Sequence, residues 1–99
     1  MAEMNTIYDI DKNIIGIFRF GVAWSKEPRI RLGEYDENSV YSNESHKLAD
    51  IIDNHVKDND GKIIGEVREN ELYISNKKVG EFTGNKSAGA AAIVFLFNH

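Results

Sequence analysis

A stretch of roughly sixteen residues occurs five times, almost end to end, between Ile7 and about residue 87. A unit that short holds two strands and a turn but cannot bury an apolar face alone, so the copies must share one core. The pattern is plainest in Val56-Lys57-Asp58-Asn59-Asp60-Gly61-Lys62-Ile63-Ile64-Gly65-Glu66-Val67, two short apolar runs around Asp-Gly, which predicts strand, turn and strand. Copies start at Ile7, Trp24, Val40, Val56 and Leu72, giving units 7–23, 24–39, 40–55, 56–71 and 72–87, followed by an apolar tail, 88–97. The expected fold is an all-β meander of about ten short strands around a pseudo-symmetry axis, within a single domain spanning 1–99.

Numbering each unit from its first apolar residue aligns three apolar columns. Position one is Ile7, Trp24, Val40, Val56 and Leu72; position nine is Ile15, Leu32, Leu48, Ile64 and Val79; position twelve is Phe18, Tyr35, Ile51, Val67 and Phe82. Position ten carries little or no side chain: Gly16, Gly33, Ala49, Gly65 and Gly80. Positions nine and twelve cannot share a face of a regular strand, so either a bulge resets the alternation at the glycine or the glycine faces a crowded contact. Position fifteen, in the link between units, is Gly21, Asn38, Asn54, Asn70 and Asn85, residue types that tolerate positive φ and predict a left-handed turn residue there. Asn43 to His55 also has helical spacing, through Leu48, Ile51, Ile52 and His55. The repeat columns explain the same residues as strands, and Pro28 falls in a turn, where it removes no ladder hydrogen bond.

Units such as Ile7-Tyr8-Asp9…Ile15-Gly16-Ile17-Phe18 and the Val56–Val67 segment resemble those of the bacterial four-fold β-flower domains, over about residues 7 to 97. The resemblance implies short hairpins splayed around an axis and followed by an alanine-rich tail like Ala88 to Phe97. It carries no catalytic residue set. This chain has five units where the family name counts four, which leaves open whether one unit, or the tail, sits outside the ring.

Composition removes several classes of function. The net charge of −4, with 12 Lys and Arg residues scattered along the chain, gives no general attraction for nucleic acid. The absence of cysteine excludes disulfides, thiolate metal sites and cysteine nucleophiles. His46, His55 and His99 have no zinc-ligand spacing, and neither a Gly-x-Ser-x-Gly elbow nor a glycine-rich phosphate loop occurs. No catalytic residues, metal or cofactor are therefore assigned. The first residues lack the basic and apolar regions of a signal peptide, which points to the cytoplasm, and Met4 is a candidate natural start, with residues 1–3 an addition. The tail is too short to span a membrane but too apolar to stay exposed, so it packs within the subunit or between copies in an oligomer.

Two constellations are candidate sites. Position eleven is Ile17, Glu34, Asp50, Glu66 and Glu81, so a closed ring would repeat four carboxylates, able to hold a cation if they converge and solvent-facing if they do not. The second unit departs furthest from the others, and its Trp24, Arg29 and Arg31 are candidates for stacking on and neutralising an anionic ligand, or for anchoring a protein. The leading expectation is a non-catalytic protein-interaction module. The alternative is a binder of a small anionic ligand or nucleotide that uses the second repeat.

Overall fold

In a computed structural model, which describes residues 4–98, each unit is a pair of antiparallel strands. They are β1 (Asn5–Asp9) and β2 (Ile14–Arg19), β3 (Val22–Ser25) and β4 (Arg31–Tyr35), β5 (Ser39–Tyr41) and β6 (Lys47–Ile52), β7 (His55–Asp58) and β8 (Ile63–Arg68), β9 (Glu71–Ile74) and β10 (Lys77–Phe82). The strands pair in sequence order, and β10 pairs back onto β1 to close a barrel. All five units belong to the ring, and residues 43–55 form parts of β6 and β7 rather than a helix. The chain then runs through the lumen as α1 (Lys86–Ala92) and a π-helical turn (Ile93–Phe97). Among the described residues no helix is long and apolar enough to cross a membrane. The proposed start at Met4 concerns residues 1–3, which lie outside the described residues, as does His99.

Both explanations of the glycine column hold at once. In every unit the pairing skips the position-nine residue, for example from Ile7↔Gly16 to Tyr8↔Ile14 and from Val56↔Gly65 to Lys57↔Ile63. Ile15, Leu32, Leu48, Ile64 and Val79 are thus the extra residues of five equivalent bulges. After the bulge, positions ten and twelve face the lumen together.

The register of the second unit differs from the sequence expectation by one residue. Ala23, not Trp24, is the fully buried position-one residue, paired with Phe18 and Gly33. Trp24 lies on the outer face opposite Ile17. The unit accommodates the shift with a longer hairpin turn between Ser25 and Arg31, which contains Pro28.

The lumen is filled by complementary tapers. At the end where the helix enters, large strand residues, Phe18, Tyr35 and Phe82 among them, surround the small residues Ala88 to Ala92. A methyl on Gly89 would come within 2.7 Å of the Phe82 ring. At the other end the sizes invert, and the glycine column faces the large side chains of the π turn. A methyl on Gly65 would meet Ile93, one on Gly33 Phe95, one on Gly16 Leu96, and one on Gly80 Phe97. Successive residues of the turn step by one repeat unit each, and by that step Val94, the smallest of the five, falls toward the unit that carries Ala49 instead of glycine. Phe18, Ile7, Leu72 and Ile93 are fully buried, each contributing about 1.5–3 kcal/mol of transfer free energy. The tail thus packs inside its own barrel, with Ala88 to Ile93 buried and Val94 to Phe97 half-buried.

Turn chemistry repeats as well. Asp9 Oδ1 accepts from the N–H groups of Asp11 and Asn13, Ser42 Oγ from Glu44 and His46, and Asp58 Oδ1 from Asp60 and Lys62. In the links the left-handed residue comes one place earlier than expected, at Phe20, Asp53, Glu69 and Gly84. Of position fifteen only Gly21 shares that conformation. The recurring role of position fifteen is its carbonyl: Gly21, Asn38, Asn54 and Asn70 accept from the N–H groups of Tyr35, Ile51, Val67 and Phe82. Asn5 ties the ring to the plug: its buried amide donates to the Phe18 carbonyl at 3.0 Å and accepts from the Asn85 N–H at 2.9 Å. Asn85 in turn caps α1 by accepting from the Ala88 N–H.

Candidate functional site: a basic groove on the outer face

Position eleven sits between two lumen-facing positions, so strand alternation turns it outward. Glu34, Asp50, Glu66 and Glu81 therefore ring the outside of the barrel and do not converge. Each instead meets a cation: Arg31 at 2.8 Å from Glu34, Lys47 at 3.1 Å from Asp50, Arg68 at 2.9 Å from Glu66, and Lys78 at 2.7 Å from Glu81. Hydrogen bonds from Arg68 hold the Glu66 carboxyl below its ordinary range, and those from Lys78 and then Lys12 do the same for Glu81. These pairs lie at the surface, where water and salt screen them, so they add little to stability. Among the described residues no three His, Cys, Asp or Glu side chains are grouped to hold a metal. His46 lies exposed in a turn, and His55 Nε2 stands 3.9 Å from Glu66.

Each position-eleven residue lies across the ladder from position two of the next unit. The pairs are Glu34↔Tyr41, Asp50↔Lys57, Glu66↔Tyr73 and, across the closure, Glu81↔Tyr8. In the fifth pair, Ile17↔Trp24, the carboxylate is replaced by an apolar side chain. The cations nearby are left uncompensated: Arg19, Lys26 and Arg29 have no carboxylate at salt-bridge distance among the described residues. With Ile17, Trp24 and Ser25 they line a cavity of about 100 Å³. The Arg29 guanidinium lies over the Trp24 ring, 5.2 Å from its centroid.

Of the three sequence candidates, the structure brings Trp24 and Arg29 together and sets Arg31 apart. Arg31 is the direct partner of Trp24 across the β3–β4 ladder, but its guanidinium is directed to Glu34 and to Asn43 Oδ1. Arg19 was not anticipated. It belongs to the first repeat, and the only sequence signal for it was the missing acid at Ile17, two residues before. At the tip of the same hairpin Phe20 is 68% exposed with a left-handed φ of 53°, an uncommon setting for an aromatic residue.

The chain matches no family model, no curated protein and no solved structure.

Proposed function

We propose that this protein is a non-catalytic interaction module that binds a partner protein through the groove between β2 and β3. The observation that carries this reading is the break in the outer belt of paired charges at Ile17: three cations with no carboxylate at salt-bridge distance among the described residues, around an apolar floor of Ile17 and Trp24, on a chain of net charge −4. Tryptophan and arginine are the residue types that most often anchor protein interfaces. A closed barrel presents no free strand edge, so a partner cannot be recruited by extending the sheet and has to be read by side chains.

The size of the cavity favours a protein over a free nucleotide. About 100 Å³ is well short of the roughly 300–1,000 Å³ of a pocket that encloses a drug-sized ligand, but it admits one acidic side chain. An NMR titration with an oligoglutamate peptide and, separately, an oligolysine peptide tests the reading. The expected result is salt-sensitive shifts at Ile17, Arg19, Trp24 and Arg29 with the acidic peptide only. Shifts that map elsewhere on the barrel, or a strong thermal stabilisation by nucleotides that Arg29→Ala abolishes, would overturn it.

A further inference from the structure

The groove has a direction as well as a charge, and direction constrains the shape of what it takes. Arg19 sits at the end of β2 beside the link turn. Trp24 pairs with Ile17 at mid-strand, and the Lys26 N–H bonds to the Ile15 carbonyl near the opposite rim. From the level of Arg19 to that of Ile15 is four residues of strand, about 14 Å at about 3.4 Å per residue. The cations therefore stand in a file along the strands: Arg19 at the link end, the Arg29 guanidinium over Trp24 at mid-strand beside Ile17, and Lys26 at the hairpin end.

Resting on the reading above, we infer that the recognised element is an extended segment of the partner protein carrying acidic side chains at alternate positions, laid along β2 and β3. In an extended chain, acids at i, i+2 and i+4 share one face and span about 14 Å, matching the file. A helix spans only about 6 Å over the same five residues and would reach one end of it. The middle acid meets the Arg29 guanidinium where it lies on Trp24, and the outer two meet Arg19 and Lys26. The exposed Phe20 ring, beside Arg19, is positioned for an apolar residue just beyond the acidic run.

The test uses two peptides of identical composition, Glu-Thr-Glu-Thr-Glu and Glu-Glu-Glu-Thr-Thr, capped at both ends and titrated against the full chain at low salt, with a five-nucleotide single strand as a third ligand. The expected result is about fivefold tighter binding of the alternating peptide, the preference being lost in both Arg19→Ala and Arg29→Ala. Equal affinity for the two peptides, with shifts still confined to the groove, overturns the extended-segment inference and leaves the interaction reading standing. No binding of either peptide overturns both. Tighter binding of the oligonucleotide overturns the choice of a protein partner, and a dimer of the free chain that Arg29→Glu dissolves assigns the groove to a second copy instead.

Discussion

If the glycine column is a set of steric seats for the π turn, replacing each glycine by alanine grades the damage in a definite order. At Gly80 the new methyl falls on the Tyr8 carbonyl oxygen and at Gly33 on that of Tyr41, with Phe97 or Phe95 crowding it as well. Backbone in a closed ladder cannot step aside. At Gly65 the nearest obstacle is Ile93 Cγ2 at 2.6 Å, a buried side chain with little room to turn. At Gly16 it is Leu96 Cδ1 at 2.9 Å, the far end of a half-buried and flexible side chain.

Overpacking costs about 1–3 kcal/mol, while the alanine recovers about 0.4–1 kcal/mol by restricting the unfolded chain. With the overpacking cost at the top of its range where backbone is struck, the net loss is then about 2–2.6 kcal/mol for Gly80→Ala and Gly33→Ala, about 1–2 for Gly65→Ala, and about 0–1 for Gly16→Ala. At about 4–8 °C per kcal/mol for a domain of this size, Gly80→Ala lowers Tm by about 8–20 °C, and Gly16→Ala by about 0–8 °C. Thermal unfolding followed by near-ultraviolet circular dichroism, which reports on the packed aromatics, gives the order directly. Shortening the plug in Gly16→Ala/Leu96→Ala should cost less than the sum of the two single changes, because the second relieves the clash. Four equal losses, or a Gly80→Ala protein as stable as the parent, would refute the reasoning.

Other expectations follow from single contacts. Asn5→Ala leaves the Phe18 carbonyl and the Asn85 N–H without their buried partner and should cost about 2–3 kcal/mol in denaturant unfolding. Arg29→Ala should weaken binding of an acidic peptide several-fold while Arg31→Ala, whose guanidinium is engaged by Glu34 and Asn43, leaves it nearly unchanged in the same titration. The carboxyls of Glu66, Glu71 and Glu81 titrate below their ordinary 4.5, and those of Asp9 and Asp36 below 3.8, because the folded state donates hydrogen bonds to them. Their contribution is complete above those ordinary values and is lost as pH falls through the depressed ones. Tm should therefore be flat near neutrality, begin to fall below about pH 4.5 and keep falling below 3.8. A Tm that rises on acidification would contradict this.

The ring was legible in the sequence because its signals are strong where the packing is tight. Glycine two places before a large apolar residue recurs in four of the five units, and both members of that pair face the plug. The misreading at Trp24 has a physical cause: a large aromatic residue looks like core, whereas the second unit buries the methyl of Ala23 and uses the indole to cover the outer wall. The asparagine column was visible but its purpose was not, since carbonyl acceptance leaves no mark on residue type and the left-handed strain falls one residue earlier. Strand alternation alone could have turned position eleven outward, once positions ten and twelve were both assigned to the lumen. The groove was half visible: Trp24 and Arg29 stand out in the second unit, while Arg19 joins them only through the pairing of β2 with β3.

The tapered plug also sets the order of events when the chain is made. A unit emerging from the ribosome can form its hairpin, but its inward face has nothing to rest on until residues 88–97 follow. Among the described residues the only strand pairing between distant parts of the sequence, β10 with β1, completes the same enclosure. Maturation of the barrel should thus be an all-or-none event that waits for residues 88–97, with the nascent units exposing their apolar faces to chaperones until the tail arrives.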